Sequence, residues 1–310
     1  MNPPRATDHS SLVTDHPRVC IIILNWNGLE DTIECLESLK RITYPEYEVI
    51  VVDNGSEGND VEVLRERFGD YVHVIENDVN YGFAEGSNIG MRYALGTLDP
   101  DYVLLLNSDT LVDPDFLTEL IKVAEGDSRI GIVGPKIRFY GQSNRIQSAG
   151  ARINWWTGET SLAGCTKIDR GQFDKMKEVD WVSGCALLIK CETIEEIGLL
   201  YAGYFGYFEE TEWCARCRKA GYKVVYVPAA KLWHKGRRTT EKVEGFRLYY
   251  MTRNQFLFMK RNSTRVQFLS FFVWFFLRHF VVTTMLLILR RDVGLMKRFY
   301  RGIYDGITTR

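Results

Sequence analysis

The sequence predicts an α/β fold in which a mostly parallel sheet is flanked by helices and is followed by a C-terminal helical extension. In the first half, short apolar runs alternate with helical patterns of about ten to fifteen residues, which is the arrangement of βαβ units. The apolar runs are continuous rather than alternating, as expected for strands that helices cover on both faces. A doubly wound domain follows from these two observations.

Four predicted strands order the first half of the chain, at residues 19–24, 49–52, 72–75 and 102–106. The first is followed by a helical pattern with Ile33, Leu36 and Leu39 on one face, and further helical patterns cover 61–68 and 88–95. Parallel strands share a direction, so the residues after each strand meet at the carboxyl edge of the sheet. Open α/β sheets bind their ligands at this edge.

The second half of the chain is less regular. Residues 130–180 mix short strands and turns without clear periodicity. Beyond them the sequence predicts a strand at 186–189, a Gly-, Tyr- and Phe-rich loop at 203–208, an acidic helix start at 209–218 and a strand at 223–227 that Pro228 closes. We expect these elements to complete a domain over residues 18–240. The polar segment at 1–17 has no apolar core of a signal peptide, which predicts a flexible leader.

The charge distribution separates the C-terminal region from the rest. Residues 246–310 carry twelve Lys and Arg against two acidic residues, a net charge of +10, whereas the remaining chain carries −11. A nucleic-acid binder normally has its basic patch on the folded domain, so the pattern argues against nucleic acid and favours an anionic membrane as the partner of the tail. Seven cysteines without framework spacing predict reduced thiols and a cytoplasmic protein.

Residues 241–310 form the predicted basic, aromatic tail, and its apolar stretch at 266–289 has about the length of one membrane crossing. Arg278 and His279 fall near the middle, which costs at least ~2.5 kcal/mol for the arginine in a spanning helix. Three arrangements stay open: a helix in the membrane plane, a core or dimer helix, and a true span. We expect peripheral attachment to the cytoplasmic face through residues 260–300, with a homodimer as an alternative. Basic residues flank the stretch on both sides: Lys260, Arg261, Arg265, Arg290, Arg291, Lys297 and Arg298.

The loop after the first strand, Asn25-Trp26-Asn27-Gly28, is neither a GxGxxG fingerprint nor a Walker A loop. A nucleotide bound at this edge would therefore need another group to neutralise its phosphates. Asp109, after the fourth strand, could hold Mg²⁺ or Mn²⁺, which often take one or two oxygen ligands from protein and the rest from phosphates and water. The alternative for a lone aspartate at this position is a helix cap.

Four motifs occur in a fixed order: Asn-Trp-Asn-Gly at 25–28, Val-Val-Asp-Asn-Gly-Ser at 51–56, Asn-Tyr-Gly-Phe-Ala-Glu-Gly-Ser-Asn at 80–88 and Leu-Leu-Leu-Asn-Ser-Asp at 104–109. Together they resemble the inverting nucleotide-sugar glycosyltransferases of glycosyltransferase family 2, especially the rhamnosyltransferase-like branch that builds cell-surface polysaccharides. The resemblance covers residues 18–240. It implies the Rossmann-like GT-A fold, a divalent metal, a nucleotide-sugar half at 18–110 and an acceptor half at 111–240.

The resemblance also assigns residues to the donor site. The family's Asp-x-Asp is Asn107-Ser108-Asp109 in this sequence, so only Asp109 offers a charge for the metal and the diphosphate. Asn25 and Asp53 should face the nucleoside. The pocket around it should be shaped by Asn80, Gly82 and Asn88.

The acceptor half has its own candidates, among them Trp181 and Gly184. Glu209, Glu210 and Glu212 begin a predicted helix, where the helix dipole by itself favours acids. The resemblance assigns the catalytic base to the second acid of the family's Glu-Asp-x-Asp segment, which is Glu210 here, with Glu209 as the second choice. Such a base takes the proton of the acceptor hydroxyl as this attacks the anomeric carbon.

His234 follows the last predicted strand. A lone histidine there is more often structural, but His234 occupies the family position of a metal ligand and would complete a site with Asp109. The next basic residues, Lys235, Arg237 and Arg238, could contact the diphosphate or form a solvated loop.

The sequence therefore predicts a metal-assisted inverting glycosyltransferase that moves a sugar from a nucleotide-diphosphate sugar to a hydroxyl of a glycan or lipid-linked acceptor. A sugar nucleotidyltransferase is the first alternative, although it normally has a Gly-rich loop near the first strand. A non-catalytic, membrane-bound adaptor that binds nucleotide sugars is the second alternative, and Asp109, Glu210 and His234 argue against it.

Overall fold

The computed structural model describes residues 16–142, 144–236 and 245–309. The predicted leader lies outside the described residues except for its last two positions, and so do Arg237 and Arg238 of the predicted basic loop.

The described chain alternates strands and helices in the predicted order. Its strands are β1 (Val19–Asn25), β2 (Tyr47–Asp53), β3 (Val72–Glu76), β4 (Tyr102–Asn107), β5 (Thr110–Val112), β6 (Ile130–Phe139), β7 (Ile146–Ser148), β8 (Ala151–Asn154), β9 (Glu159–Leu162), β10 (Lys177–Glu178), β11 (Ala186–Lys190) and β12 (Lys223–His234). Its α-helices are α1 (Leu29–Leu39), α2 (Asp60–Phe68), α3 (Gly82–Tyr93), α4 (Phe116–Glu125), α5 (Cys191–Ile197), α6 (Glu209–Lys219), α7 (Phe246–Asn262), α8 (Arg265–Trp274), α9 (Val281–Leu289) and α10 (Val293–Thr308). Phe275–Phe280 joins α8 to α9 as a π-helical segment.

The central sheet has the strand order β10-β12-β6-β11-β4-β1-β2-β3. β4, β1, β2 and β3 are parallel, as predicted, and so are β6 and β12. β11 runs antiparallel to both β4 and β6, which makes the sheet mixed. Asn25 pairs with Asp53, and Leu24 pairs with Asn107, so the ends of these strands meet at one edge. The α/β fold with a C-terminal helical segment is confirmed.

Helices cover both faces of the parallel strands, which accounts for their continuous apolar sequence. In β1, Ile22 faces a core that includes Met91 of α3, whereas Ile23 faces a core that includes Leu36 of α1. All four side chains are at most 2% exposed. Because the helices exclude water from both faces, polar residues are confined to the strand ends, as in the sequence.

β12 is longer than the sequence predicts. The prediction ends the strand at Pro228, because proline has no N–H for the ladder. In the structure the register with β6 shifts between Val227 and Lys231, and pairing then resumes as far as His234. The chain bulges past the proline and returns to the sheet, as bulges allow. His234 is therefore the last residue of a strand in the sheet, rather than part of a loop beyond it.

The predicted tail consists of two packed helices, α7 and α10, and a largely exposed apolar segment between them. On α7, Phe256 and Phe258 are fully buried and share a core with Trp213 of α6. α10 packs on α7 through Gly302 and Gly306, where a Cβ would come within 2.9 Å of backbone oxygens of α7. The segment between them, Arg265–Leu289, is long and apolar enough to cross a membrane, and only 11% of its most apolar window is buried.

Candidate active site

Asp109 and His234 form an ion pair at the carboxyl edge of the sheet. Antiparallel pairing of β5 with β12 sets His234 opposite Thr110, directly beside Asp109. Nε2 of His234 lies 2.9 Å from Oδ1 of Asp109, and the backbone N–H of Gly236 donates to Oδ2 at 3.0 Å. On its other side, Nδ1 of His234 is 2.8 Å from Oε1 of Gln147 on β7. The structure thus brings together the two predicted metal ligands.

Each partner of this pair changes the pKa of the other. Burial by itself would raise the pKa of Asp109, but the hydrogen bond and charge of His234 hold it below its ordinary value. Burial opposes a charged imidazole at His234, yet the Cys185 sulfur and the Asp109 carboxylate together raise its pKa well above the ordinary value. Burial also raises the pKa of the Cys185 thiol, which disfavours a thiolate. The negative charge beside the His234 imidazole is therefore that of Asp109.

The donor atoms of the pair suit a divalent cation. Two neighbouring ligands at about 2.1 Å from an octahedral ion lie about 3 Å apart, and Oδ1 of Asp109 lies 2.9 Å from Nε2 of His234. Gln147 forms a hydrogen bond with the other imidazole nitrogen, and metal-binding histidines commonly have such a partner. Nδ2 of Asn107 is 3.4 Å from the same Nε2. In the described residues there is no group of three or more His, Cys, Asp and Glu that could hold a metal, so Asp109 and His234 are the two ligands that the protein would offer at this edge.

Lys235 points away from this pair. Its ammonium group donates to Asp31 at 2.6 Å and to Glu34 at 2.8 Å, both on α1. The lysine side chain is only 4% exposed. It therefore fastens the end of β12 to α1, and the structure does not offer it to a diphosphate.

Asn25 and Asp53 form a buried network at the ends of β1 and β2. Nδ2 of Asn25 donates to Asp53 at 2.7 Å and to Asp60 at 2.9 Å, and its Oδ1 accepts from Thr32. Ser56 donates to both oxygens of Asp53, through its backbone N–H and its hydroxyl. Asn25 and Asp53 are at most 1% exposed. Asn25 thus holds Asp53 in place, and their contact with a nucleoside stays a prediction.

Asn54, which sequence reasoning did not single out, connects β2 to the loop after β3. Its Nδ2 donates to Oδ1 of Asn80 at 2.9 Å and to the carbonyl of Gly82 at 3.1 Å. Gly82 has φ +79°, and a Cβ there would collide with the carbonyl oxygen of Phe205. Phe83 donates its N–H to that same oxygen at 2.5 Å. The close approach that Gly82 permits is therefore made by the Phe205 loop of the protein itself.

Asn88 fastens α3 to the other half of the molecule. Its Nδ2 donates to the carbonyl of Leu200 at 2.9 Å, and its Oδ1 accepts from the N–H of Leu200 at 3.1 Å. The residue is 3% exposed. Asn88 therefore connects α3 to the segment before α6, and its contact with a donor stays a prediction.

Glu209 and Glu210 form a buried carboxyl pair at the start of α6. Oε2 of each is buried without a hydrogen-bond partner among the described residues. Burial, and secondarily the charge of Glu210, raise the pKa of Glu209 well above its ordinary value. Burial also raises the pKa of Glu210, to about 6, while backbone N–H groups that include Gly184 favour its carboxylate. Glu209 is 6% exposed, whereas Glu210 is partly exposed.

The third acid of this helix has a different role. Glu212 is 1% exposed and accepts two hydrogen bonds from Nε of Arg216, at 2.9 and 3.0 Å. Arg216 in turn donates to the backbone carbonyl of Leu199 at 2.7 Å. Because Glu212 is neutralised by this ion pair, the carboxyl groups left for chemistry are those of Glu209 and Glu210.

Trp181 is a core residue beside the site. It is 7% exposed, and its indole N–H donates to the carbonyl of Arg152 on β8 at 3.3 Å. Gly184, the other predicted acceptor-side residue, lies against the side chain of Glu210, with 3.4 Å between an added Cβ and the glutamate. Gly184 is therefore a neighbour of Glu210, whereas Trp181 is a buried residue that contacts β8.

A cavity of about 1390 Å³ begins at the loop before α6 and runs between the β8–β9 hairpin and the C-terminal helices. Its wall combines aromatic and cationic side chains, among them Arg152, Trp155, Tyr207, Arg247, Trp274 and Arg290. Sequence reasoning missed this cavity, since its walls come from segments up to about 140 residues apart.

A mixed α/β sheet flanked by helices, with a carboxylate and a histidine at its strand ends and a carboxyl pair at the start of α6, is the arrangement expected of a sugar-transferring enzyme with the GT-A fold. Residues 20–190, more than half of the chain, match the model of glycosyl transferase family 2, and the chain belongs to this family. It is a glycosyltransferase, as the sequence predicts.

Three relatives indicate the branch of the family to which the chain is similar. The chain is 27% identical to the low-salt glycan biosynthesis hexosyltransferase Agl10 of Haloferax volcanii, over 76% of this chain and 74% of the relative. It is 26% identical to the dTDP-rhamnosyl transferase RfbF of Shigella flexneri, over 84% and 86%. It is 27% identical to the rhamnosyltransferase WbbL of Escherichia coli K12, over 70% and 83%. The resemblance to the rhamnosyltransferase-like branch is thereby confirmed.

Solved structures share the fold at low identity. The mannosyltransferase PcManGT of Pyrobaculum calidifontis, in complex with GDP-Man and Mn²⁺, superposes with a TM-score of 0.59 at 15% identity, over 95% of this chain and 88% of that one. GalNAc-T7, with UDP, GalNAc and Mn²⁺, superposes with a TM-score of 0.61 at 17% identity, over 87% and 58%. The architecture is therefore that of GT-A enzymes.

Proposed function

We propose that this protein is an inverting, metal-assisted glycosyltransferase that moves a sugar from a nucleotide-diphosphate sugar to a hydroxyl of a lipid-linked glycan. The observation that carries the proposal is the carboxyl pair Glu209–Glu210, which is desolvated and has unpartnered oxygens. Inversion in a single displacement requires a base on the face of the sugar opposite the departing nucleotide. A carboxyl pair on α6, on a different element from Asp109 and His234, is the group that we propose for this role.

Glu210 is the group that accepts the proton. Its pKa of about 6 leaves it ionised at neutral pH and poised near the pH at which it works. Burial and the charge of Glu210 raise the pKa of Glu209 well above its ordinary value, so this carboxyl group is poorly suited to accept a proton as a carboxylate. Of the two groups, the more exposed Glu210 is therefore the base, and Glu209 is buried beside it.

Asp109 and His234 would hold the divalent ion, Mg²⁺ or Mn²⁺, with Gln147 fixing the imidazole. Such an ion neutralises the charge of the departing nucleoside diphosphate. The buried network of Asn25 and Asp53 at the neighbouring strand ends supports the nucleoside side of the same edge.

The acceptor site is the cavity that begins at Tyr207, two residues before Glu209. Three arginines line it, Arg152, Arg247 and Arg290, and none of them has an acidic partner within ion-pair distance in the described part of the chain. Unpaired guanidinium groups suit a phosphate, which they can bind in a bidentate manner. The aromatic and leucine walls suit a glycan and the first units of a lipid chain.

The helix Arg265–Leu289 would attach the enzyme to an anionic membrane, where a lipid-linked acceptor resides. Its surface is strongly apolar: Leu277 is 75% exposed and Leu289 is 79% exposed. Of the predicted flanking cations, Lys260 instead binds the last carbonyls of α10, and Arg261 stacks 3.8 Å from the ring of Tyr201. The cations left for lipid headgroups are Arg265, Arg291, Lys297 and Arg298. We propose peripheral attachment at the cytoplasmic face.

A donor panel with product analysis tests this function. The purified full chain is incubated with Mn²⁺ and dTDP-rhamnose, UDP-glucose, UDP-N-acetylglucosamine or GDP-mannose, and nucleoside diphosphate release is measured together with the anomer of the freed sugar by NMR. We expect release from one donor, with inverted configuration. Retained configuration would refute the inverting mechanism. Release of inorganic diphosphate from a sugar phosphate and a nucleoside triphosphate would identify a nucleotidyltransferase instead.

A further inference from the structure

The loop that leads into the carboxyl pair has a strained backbone. Phe205, Tyr207 and Phe208 all have positive φ, at 63°, 68° and 76°. Side chains with a Cβ rarely adopt this region, and bulky aromatic residues do so least of all. Such conformations persist only where the surrounding structure enforces them. Something outside the loop must therefore hold residues 203–208 in place.

The group that holds the loop is Asn254 of α7. Its side chain is fully buried, and Nδ2 donates to three backbone carbonyls of the loop: Tyr204 at 3.0 Å, Gly206 at 2.8 Å and Tyr207 at 2.7 Å. Because one amide binds three carbonyl oxygens, the backbone of the loop must curve around it. The residues with positive φ provide that curvature.

Arg253 completes the clamp. Its Nε donates to Oδ1 of Asn254 at 2.8 Å, which turns the NH₂ group of that amide toward the loop. Its Nη2 donates to the carbonyls of Gly203 at 2.6 Å and Tyr204 at 2.8 Å. The guanidinium is in turn held 4.8 Å from the ring centre of Tyr250.

The clamped loop controls two parts of the site. It ends at Glu209, the first residue of α6, so its path sets the position of the carboxyl pair. Its Phe205 carbonyl also accepts the N–H of Phe83, at the start of α3 in the donor half. The loop therefore contacts the donor half directly, and its end leads into Glu209 and Glu210 of the acceptor half.

We infer that Arg253 and Asn254 are positioning residues for Glu210, and that α7 is part of the catalytic unit rather than of a separable tail. The inference rests on the proposed role of Glu210 as the base. Asn254 and Arg253 do not touch the substrate. They fix the loop so that Glu210 enters the site partly exposed and with an elevated pKa, while Glu209 stays buried behind it.

The variant that tests the clamp is Asn254→Asp, which is nearly isosteric and keeps the oxygen that faces Arg253 while replacing the shared donor by an oxygen. The assay follows dTDP release from dTDP-rhamnose in Mn²⁺, or release from whichever donor of the panel the wild type uses. Calorimetry with dTDP and Mn²⁺ counts the binding-competent sites. We expect kcat per competent site to fall by about tenfold or more, with the Kd of dTDP within twofold of wild type.

The matched control is Asn262→Asp on the same helix, where the amide donates only to the helix's own Phe258 carbonyl at 3.0 Å. We expect it to retain both kcat and Kd. If Asn254→Asp keeps wild-type kcat per competent site, or loses activity only in proportion to its lost dTDP sites, the positioning role is refuted.

Two further arms keep the outcome interpretable. Should Asn254→Asp fail to fold, Arg253→Lys removes the Nε bond and the fork but keeps the charge, and we expect a smaller fall in kcat, about threefold, at unchanged dTDP affinity. Unchanged kcat in that variant contradicts the inference. Glu210→Gln is measured in parallel: if it loses turnover while Asn254→Asp does not, the clamp alone is wrong, whereas full turnover in Glu210→Gln overturns the proposed base itself.

Discussion

The backbone N–H of Asn107 donates to the carbonyl oxygen of Cys185 at 2.9 Å, where the end of β4 meets the start of β11. Cys185 lies between the two halves of the site. Its thiol contacts His234, and the residue before it, Gly184, lies against Glu210. Gly184 and Cys185, at the entry to the antiparallel strand β11, therefore connect Glu210 on one side with His234 on the other.

The first prediction concerns Asp109. Asp109→Asn removes the negative charge from the strand-end pair but retains an oxygen that can accept from Gly236. We expect Mn²⁺-dependent binding of a nucleoside diphosphate to weaken by at least about 100-fold, measured by calorimetry, with little change in melting temperature. Asp115→Asn, an exposed residue of the next segment, serves as the control. Unchanged diphosphate affinity in Asp109→Asn would remove Asp109 from the donor site.

Glu210 should show its role through pH. Its pKa of about 6 means that the ionised base is lost as the pH falls through that value. We expect kcat/KM of the wild type to decline about tenfold per pH unit below about 6. Glu210→Gln should lower turnover by about 10²-fold or more with donor affinity retained, and its residual rate should lack this acidic limb. A residual rate with the same limb would assign the titration to another group.

Glu209 should behave differently, in stability rather than in rate. Its folded pKa is raised, so above the unfolded value of about 4.3 the unfolded chain releases a proton that the folded chain retains. Stability is lost as the pH rises through this window, and glutamine avoids the loss. We expect Glu209→Gln to melt higher than wild type at pH 8, with the difference vanishing near pH 4. A lower melting temperature at pH 8 would show that the carboxyl group is stabilising.

The elements of the sheet and its ligand edge could be predicted from local sequence, but the supports of the site could not. Asn25, Asp53 and Asp109 each end an apolar run, and a run of that kind is visible in a few consecutive residues. Gln147 and His234, in contrast, are 87 residues apart in sequence. No local pattern marks Gln147, because its role is created by the pairing of β7 with β6 and of β6 with β12.

The same reasoning explains why the tail was only partly predicted. Its charge and its apolar stretch at 266–289 are properties of composition and could be predicted, whereas the low burial of Arg265–Leu289 is known only from the structure. Asn254 donates to carbonyls 47 to 50 residues earlier in the chain. Composition carries no information about such a contact, so the sequence assigns α7 to the tail without its contacts to the loop at 203–208.

Gln147 gives a test of the metal pair that spares both ligands. Gln147→Met is of similar length but cannot accept the Nδ1 hydrogen of His234, so the imidazole loses its fixed orientation. We expect the Mn²⁺ requirement for dTDP binding to rise by about 10- to 100-fold, the usual cost of losing a second-shell partner, with a fold stable enough to purify. Gln142→Met, on the exposed turn before β7, is the control. Wild-type Mn²⁺ dependence in Gln147→Met would mean that His234 is held by other contacts.

The last prediction concerns the apolar helix Arg265–Leu289. It uses the full chain, because a truncation before α7 would also remove Asn254 and the buried Phe256. Leu269, Leu277 and Leu289 are 63%, 75% and 79% exposed. We expect the wild type to sediment with vesicles that contain phosphatidylglycerol, and the triple Leu→Ser variant to stay in solution while still binding dTDP. Apolar burial and attraction to anionic headgroups act together in such helices, so neutral phosphatidylcholine vesicles should bind the wild type less.

A matched triple change to serine at Val79, Ile168 and Met176, exposed apolar residues outside the helix, should leave sedimentation intact. If the wild type ignores vesicles and the Leu→Ser variant instead converts a dimer to a monomer, the helix is an oligomerisation surface and the membrane proposal fails.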